Sequence, residues 1–304
     1  MTQTAPHLLA PRLDAVSHWR IEPPFACADA DWLDRAERAG RVAGTQLQHA
    51  LRATGFEPQS VMVLSTIMDS TFTAPQRAVA RFVAAIASTS GHAPQGIVSA
   101  YLCASWGFAL RHLQRNTALT RIALLIVDLD VHDMAWHLDH PLTGRSGFGT
   151  TTLLFSLPRA PAALRPECSG PHPNSAYSEF VMALRRHAAL AEPAACFIPF
   201  TRTPLHATAR AALGGTPLAP NRYDAWGHCF GADPWIGLIE HLAPGPHPAP
   251  LLVLCGAIAL NGYYTLCPIA LHDTLFSEFR HLDGAAERID RALADQPAAA
   301  SCPT

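Results

Sequence analysis

The sequence has few charged residues and no excess of either sign. Of its 304 residues 15% are charged, with 22 Lys and Arg against 24 Asp and Glu, which gives a net charge of -2. Proteins that hold a nucleic-acid backbone need a basic surface, so this balance argues against nucleic-acid binding. The longest apolar runs, at 122–127 and 251–260, fall well short of the roughly 18 residues of a transmembrane helix. The sequence therefore also argues against a membrane span.

The chain lacks Cys-x-x-Cys pairs and any regular cysteine spacing, which argues against a zinc ribbon and a disulfide framework. Residues 1–11 lack the basic stretch and apolar run of a secretory signal. We therefore expect a cytoplasmic protein whose thiols are free and mostly serve as small apolar side chains in the core. The cysteines are Cys27, Cys103, Cys168, Cys196, Cys229, Cys255, Cys267 and Cys302.

Strand patterns and helix patterns alternate along the chain. The 49% hydrophobic content is that of a globular protein. Alternation of short buried strands with helices predicts a layered α/β architecture. Apolar segments predict strands at 60–66, 97–100, 121–128, 150–157, 195–199, 250–254 and 262–270, and helical spacing predicts helices at 32–54, 76–86, 104–116, 178–190, 205–213 and 234–242.

The alternation occurs twice, which predicts two similar halves. Residues 1–157 form the first predicted half and residues 158–293 the second, which opens with a Pro- and Ala-rich connection at 158–173. The Ala- and Pro-rich tail, 294–304, is predicted to be disordered.

The segment 97–110 (IVSAYLCASWGFAL) contains a short strand that ends in a cysteine, followed by small residues and a helix. It resembles the nucleophile segment of the thiolase-like superfamily, with the closest likeness to the β-ketoacyl-acyl-carrier-protein synthase III (ketosynthase III) branch. Cys103 falls on the nucleophile position, and 109–110 (Ala-Leu) falls on a pair that the family has two turns later. Gly147-Phe148-Gly149 lies where the family usually has Gly-Asp-Gly.

Three segments of the second half resemble the family in the same order. Segment 197–203 resembles Pro-His-x-Ala-Asn, but Phe200 occupies the histidine position. Segment 226–242 resembles Gly-Asn-Thr-Ser followed by a helix, with His228 at the asparagine position. Segment 255–262 is similar to the glycine-rich turn before the last strand. The likeness spans roughly residues 55–272.

The resemblance implies a fold, a partner class and a set of site residues. The fold is the α/β thiolase-like five-layer α/β/α/β/α sandwich, as a homodimer or as a heterodimer with another thiolase-like chain. Cys103 and His228 are the implied catalytic residues, and Phe200, Gly256 and Ala257 are the implied substrate-binding residues. No metal is implied, and no cofactor beyond an acyl donor, which is a coenzyme A thioester or a phosphopantetheine thioester on an acyl carrier protein.

The departures from the family pattern change the expected chemistry. In the family a cysteine at a helix N-terminus attacks an acyl thioester, and a His and an Asn then stabilise the enolate of a malonyl group. Phe200 has no side-chain donor, whereas the imidazole of His228 can act as a base. We therefore predict acyl transfer, or an unusual condensation, through a Cys103 thioester in a biosynthetic pathway.

The same departures support an alternative, a non-catalytic partner subunit of an active ketosynthase homologue. The altered pair also resembles the alkylquinolone-forming branch of the family, whose chains work as unlike pairs.

Several polar residues have competing interpretations. His228 is equally consistent with a structural histidine. Arg185-Arg186-His187 is typical of a solvated helix face, although an acidic carrier protein or a phosphate could bind there. The Asp and His residues between 128 and 140 suggest a metal site for hydrolysis, but they lack a zinc-motif spacing and better fit a solvated loop. His206 would replace the missing family histidine only if the chain shifted.

Overall fold

The computed structural model describes residues 9–22, 32–68, 76–129, 138–140, 143–160, 163–172, 174–202, 204–245 and 249–283. Its strands are β1 (Arg12–Glu22), β2 (Ser60–Leu64), β3 (Gly96–Val98), β4 (Arg121–Asp128), β5 (Asp139–His140), β6 (Gly144–Arg145), β7 (Gly149–Ser156), β8 (Glu167–Ser169), β9 (Cys196–Phe197), β10 (Leu251–Ile258), β11 (Tyr264–Leu271) and β12 (Phe276–Asp283). Its α-helices are α1 (Trp32–Thr54), α2 (Gln76–Ser90), α3 (Ser105–Leu113), α4 (Ala176–Ala191), α5 (Leu205–Leu213), α6 (Tyr223–Trp226) and α7 (Asp233–Leu242).

Two sets of strands join in one ten-stranded sheet. The first set runs β3-β2-β4-β7-β1, the second runs β11-β10-β9, and β12 and β8 pair with β1 and β11 respectively. Strands β1 and β11 pair at Arg12 and Ala270, which is where the two sets meet. The apolar runs of β4 and β10 are explained by burial on both faces of the sheet.

Helices cover both strand sets and also lie between them. Helices α1 and α2 pack on one face of the first set, and α4 and α5 pack on the outer face of the second. Helices α3 and α7 form a central layer, whose hydrophobic cluster includes Leu124 of β4 and Val253 of β10. Within this layer Trp106 and Trp235 meet edge to face with ring centroids 4.9 Å apart. The layers therefore follow the order α/β/α/β/α.

Most predicted elements are present, with bounds that shift by a few residues. Helices α1 and α5 and strand β4 have the predicted bounds. The helix predicted at 104–116 is shorter, because a 3-10 turn at Leu102–Ala104 precedes it. Strand β1 was not predicted, since the polar residues within it break the apolar run although they too are buried. Strand β12 was not predicted either.

The division into two halves stays a prediction. Strand β12 follows the second half in sequence but pairs with β1 along eight residues, from Ala15 with Phe276 to Glu22 with Asp283. The tail at 294–304 lies outside the described residues.

In the described part of the chain, the six cysteines present are free. The described helices include none with the length and apolar composition needed to cross a bilayer.

Gly107 places α3 directly against β11. An added Cβ at Gly107 would lie 2.6 Å from both Cβ and Cγ2 of Thr265, a side chain that is fully buried. Overpacking costs about 1–3 kcal/mol, and because real Cβ atoms essentially never show contacts under 3.0 Å, the cost here lies at the upper end of this range. Alanine gains roughly 1 kcal/mol over glycine in a helix. We therefore expect Gly107→Ala to lower the free energy of unfolding by about 2 kcal/mol in urea titration.

Gly215→Ala is the matched control for this prediction. A Cβ at Gly215 would meet nothing within 4 Å, so its effect should stay within about 0.5 kcal/mol. Equal stability of Gly107→Ala and the wild type would contradict the close packing of α3 on β11.

Candidate active site

Cys103 lies in the turn between β3 and α3. The 3-10 turn contains Cys103, and α3 begins two residues later at Ser105. Leu102, immediately before the cysteine, has a φ of 47°, and a non-glycine residue in this left-handed region costs about 1–3 kcal/mol. The side chain of Cys103 is buried, and the N-terminus of α3 lies beside it.

His228 is held by a loop that packs on strand β6. Its backbone N–H donates to the carbonyl of Arg145 at 2.8 Å. Gly227, with a φ of +73°, allows this approach, because a Cβ there would lie 2.5 Å from the same carbonyl oxygen. A Cβ at Gly147 would likewise lie 2.5 Å from the sulfur of Cys229. The segment Gly147-Phe148-Gly149 therefore provides a surface without side-chain bulk at Gly147, and the His228 loop packs against it.

Cys103, His228 and Asp233 form a continuous chain of contacts. Nε2 of His228 lies 3.7 Å from Sγ of Cys103. On the other side of the ring, Nδ1 lies 2.6 Å from Oδ2 of Asp233. The order thiol, imidazole, carboxylate is the arrangement in which a base activates a nucleophile and a third group orients the base.

Asp233 is fully buried at the first position of α7. Its Oδ2 accepts the backbone N–H of Phe200 at 3.0 Å, and its Oδ1 accepts that of Cys229 at 2.7 Å. These bonds hold the carboxylate in place and satisfy its charge inside the protein. Asp233 was not among the predicted site residues.

The electrostatics of the site favour a protonated His228. Burial by itself lowers the pKa of His228, but the Asp233 carboxylate, with a smaller contribution from Cys103, outweighs burial, and the pKa lies well above its ordinary value. A positively charged imidazole 3.7 Å from the sulfur can interact favourably with negative charge that develops there during a reaction.

Phe200 supports His228 through its backbone rather than through its side chain. Nδ1 of His228 also lies 3.1 Å from the carbonyl oxygen of Phe200. The phenyl ring is buried in a cluster with Cys229, Ala232 and Ile236. In the position where the family has a histidine, this chain therefore has an apolar side chain that belongs to the core.

Asp128 links the loop after β2 to the turn that follows His228. Its Oδ1 accepts the N–H of Thr66 at 2.6 Å and the hydroxyl of Ser65 at 3.2 Å. Burial raises the pKa of Asp128 to about 6, although the hydrogen bonds from Thr66 and Ser65 oppose the rise. Oδ2 of Asp128 would lie 3.9 Å from a Cβ at Gly231. A Cβ at Gly231 would lie 3.3 Å from the carbonyl oxygen of Cys103, so the turn after His228 also packs against the turn that contains Cys103.

A cavity of about 270 Å³ opens onto the thiol and the imidazole. Cys103 and His228 line it. The start of α4, the end of β10 with the two residues that follow it, and the segments around Thr143 and Thr201 form the rest of the described wall. The other described lining residues are Thr143, Asn174, Ser175, Ala176, Tyr177, Ser178, Pro199, Thr201, Ile258, Ala259 and Leu260.

The three predicted substrate-binding residues, Phe200, Gly256 and Ala257, are not among the described residues that line this cavity. Gly256 and Ala257 lie inside β10, just before the lining residue Ile258. A Cβ at Gly256 would meet Leu266 and Phe180, so this face of β10 packs against α4. The side chain of Phe200 does not line the cavity either. The role predicted for these three residues stays a prediction.

The remaining predicted polar residues have other contacts. Nε2 of His206 donates to the carbonyl of Pro199 at 2.9 Å, so His206 does not replace the missing histidine. Arg186 and His187 both bind the carboxylate of Glu167, at 2.7 and 2.8 Å. Most of the Asp and His cluster, 130–137, lies outside the described residues. Among those described, no group of His, Cys, Asp and Glu could hold a metal ion.

Comparison with known proteins shows the fold. No model of a protein family matches the chain, and no curated protein sequence matches it either. Solved structures do match. The 3-oxoacyl-(acyl carrier protein) synthase III FabH from Pseudomonas aeruginosa PAO1 superposes with a TM-score of 0.64 at 13% identity, over 86% of this chain and 98% of that chain. The chain has the thiolase-like fold.

Two further structures with this fold are similar over most of their length. The acyltransferase ChlB3 matches with a TM-score of 0.63 at 11% identity, over 87% of this chain and 99% of that chain. The priming β-ketosynthase of the R1128 polyketide pathway matches with a TM-score of 0.58 at 14% identity, over 90% of this chain and 100% of that chain. The resemblance read from the Cys103 segment is therefore confirmed as far as the thiolase-like fold is concerned.

Proposed function

We propose that this protein is an acyltransferase that carries its acyl group as a thioester on Cys103. The observation that supports this most directly is the contact chain from Sγ of Cys103 to Nε2 of His228 at 3.7 Å, and from Nδ1 of His228 to Asp233 at 2.6 Å. The similar folds of ketosynthase III and of the acyltransferase ChlB3 support the same class of chemistry.

The first half of the reaction loads the enzyme. The Cys103 thiolate attacks the carbonyl carbon of an acyl thioester, and the new C–S bond replaces the C–S bond to the donor. The departing thiolate takes the proton that His228 carries on Nε2. Asp233 keeps the ring in position through Nδ1 and stabilises its positive charge before that proton is given up.

The second half unloads the enzyme. His228, now neutral, takes the proton of an incoming nucleophile through Nε2. A malonyl-derived enolate would need two positioned donors, and the buried phenyl ring of Phe200 supplies none. This favours transfer to an acceptor over ordinary malonyl extension.

The proposed donor is a thioester of coenzyme A or of a carrier protein. The exposed Arg185 lies on α4, the helix whose first turn lines the cavity. Its guanidinium fits an acidic carrier protein or a phosphopantetheine phosphate. A dimer, with a second copy or with another thiolase-like chain, is part of the same proposal, and β3 lies at one end of the described strand order, where a second chain could add a strand.

Formation of the acyl-enzyme tests the proposal. The purified protein is incubated with acetyl and butyryl thioesters of coenzyme A and examined by intact mass spectrometry. We expect a mass increase of one acyl group, mapped by peptide analysis to the peptide that contains Cys103. Absence of this adduct, together with co-purification of a second thiolase-like chain, would instead support the non-catalytic partner.

A further inference from the structure

Arg20 is a buried cation in β1 that reaches the segment of His228. Its side chain is 3% exposed, whereas its ion-pair partner Glu22 is about half exposed. Burial of a charged group destabilises a protein unless hydrogen bonds and a counter-ion compensate, and an apolar residue of similar volume is often at least as stable in such a position. The presence of an arginine here is therefore better explained by what its guanidinium contacts.

The guanidinium of Arg20 contacts Trp226 in two ways. Nη1 donates to the backbone carbonyl of Trp226 at 2.9 Å. The central carbon of the guanidinium lies 5.2 Å from the centroid of the Trp226 ring, within the range of a cation–π contact. The indole N–H of Trp226 donates in turn to Glu240 of α7 at 2.9 Å. Trp226 is therefore held both at its backbone and at its ring.

The guanidinium and the segment that carries His228 pack against the same glycine. The backbone N–H of Gly147 donates to the carbonyl of His228 at 2.9 Å. An added Cβ at Gly147 would lie 3.0 Å from Nη1 of Arg20 and 2.5 Å from the sulfur of Cys229. The contact with Trp226 therefore fixes the segment two residues before His228, while Gly147 fixes it at His228 itself.

The position of this segment sets two distances at the site. Nε2 of His228 lies 3.7 Å from Sγ of Cys103, and Nδ1 lies 2.6 Å from Oδ2 of Asp233. General acid–base catalysis needs the two groups within hydrogen-bond reach, and a misplacement of about 1 Å can cost about 10²-fold in rate. A small displacement of the segment would therefore change both the contact with Cys103 and the charge on the imidazole.

We propose that Arg20 is a positioning residue, whose guanidinium holds the backbone at Trp226 and thereby sets the place of His228. The inference rests on the proposed acyltransferase function for its effect on rate, while its effect on the imidazole does not require that function. Arg20 is not among the described residues that line the cavity, so it acts through the segment and not on the substrate.

The first measurement is the rate of acyl-enzyme formation from acetyl coenzyme A, followed by intact mass spectrometry. Arg20→Met keeps an apolar side chain but loses the charge and the N–H donors, and we expect it to load about 10- to 100-fold more slowly than the wild type. Arg12→Met is the matched control. Arg12 also pairs with an acidic residue two positions later, Asp14, but lies about 26 Å away along the same strand. We expect Arg12→Met to load at the wild-type rate.

NMR titration of the imidazole separates positioning from a direct effect of charge. Burial lowers the pKa of His228, and the largest effects that raise it come from Asp233 and Cys103. Loss of a nearby cation by itself would raise this pKa or leave it unchanged, whereas displacement of the ring from Asp233 would lower it. We expect a lower pKa of His228 in Arg20→Met and the wild-type value in Arg12→Met.

Arg20→Lys tests the geometry at constant charge. Lysine keeps the positive charge but has neither the planar face that stacks on Trp226 nor a fork of donors that reaches both Trp226 and Glu22. We expect loading about threefold to tenfold slower than in the wild type. The pKa of His228 should fall less than in Arg20→Met. This variant carries the test if Arg20→Met does not fold.

A wild-type loading rate in Arg20→Met would overturn the inference, as would a pKa of His228 that is unchanged or raised in both Arg20 variants. An equal loss of rate in Arg12→Met would also overturn it, because strand β1 as a whole would then be responsible. If the wild type forms no acyl-enzyme, the proposed function fails, and the titration of His228 still decides whether Arg20 sets its position.

Discussion

Cys103→Ala should reduce acyl-enzyme formation by about 10⁴-fold or more, to the background of the assay. When a nucleophile, a base and an orienting carboxylate act together, removal of the nucleophile alone abolishes nearly all of the rate enhancement that the three residues provide. The measurement is the fraction of protein that gains one acyl group per unit time, followed by intact mass spectrometry with acetyl and butyryl coenzyme A. Because alanine removes only a sulfur atom from a buried position, the variant should keep its fold.

Cys196→Ala is the matched control for this result. Cys196 is another buried thiol, in β9, and burial raises its pKa to about 12, so it is not a nucleophile at neutral pH. We expect Cys196→Ala to load its acyl group at the wild-type rate. An adduct of wild-type yield in Cys103→Ala would place the chemistry on a different residue and remove the basis of the proposed function.

Asp233→Asn should slow acyl-enzyme formation by roughly 10²- to 10⁴-fold. In the Ser-His-Asp triad, replacement of the aspartate by asparagine costs about 10⁴-fold in kcat because the imidazole adopts the wrong tautomer. In this protein the carboxylate additionally keeps His228 charged, so its loss also removes a cation that lies beside the sulfur of Cys103.

The pH dependence separates this role from a purely structural one. With Asp233 present, the raised pKa of His228 stabilises the folded protein below about pH 6.5, the ordinary histidine pKa, and this contribution is lost as the pH rises through the folded pKa. In Asp233→Asn the carboxylate no longer opposes burial, which is the largest single cause and lowers the pKa of His228, so the sign reverses and the variant loses stability as the pH falls. The difference in the free energy of unfolding between the wild type and Asp233→Asn should therefore become smaller as the pH rises.

Two measurements test this expectation. NMR titration of the imidazole should show that His228 loses its proton at a much lower pH in Asp233→Asn than in the wild type, and urea unfolding at several pH values should show the smaller difference at higher pH. Asp233→Asn also disturbs two backbone hydrogen bonds, which costs about 1–3 kcal/mol, but that cost does not depend on pH. Asp224→Asn, an exposed carboxyl in α6, serves as the control. Equal titration of His228 in wild type and Asp233→Asn would contradict the proposed role.

The sequence pattern predicted much of the fold for a physical reason. Strands such as β4 are buried on both faces, so their apolar runs are visible without knowledge of their neighbours. Strand β1 is equally buried, yet His18 and Arg20 interrupt its pattern. Their partners come from distant parts of the chain, since Nδ1 of His18 lies 2.8 Å from the hydroxyl of Thr151, and Arg20 donates to the carbonyl of Trp226. Local composition carries no sign of such partners.

The candidate site was predicted in part. The resemblance of the Cys103 segment and the position of His228 in a second segment identified the two residues that the fold brings to 3.7 Å. Asp233 was missed, although it lies in the same segment as His228 and directly before Pro234. An aspartate at the start of a helix is common because its negative charge interacts favourably with the helix dipole. Nothing in the local sequence therefore distinguished Asp233 from a structural residue.

By itself the sequence determined the layered α/β class, the resemblance of the Cys103 segment to the thiolase-like superfamily, and the presence of Phe200 where that family has a histidine. Only the tertiary structure decided that Asp233 raises the pKa of His228 and that Phe200 contacts His228 through its backbone carbonyl. It also decided that the start of α4 lines the same cavity as the thiol of Cys103. Each of these depends on contacts between segments that are far apart in the chain or turned toward each other by a loop. Such contacts are fixed by how the central helices pack between the two strand sets, which no local pattern encodes.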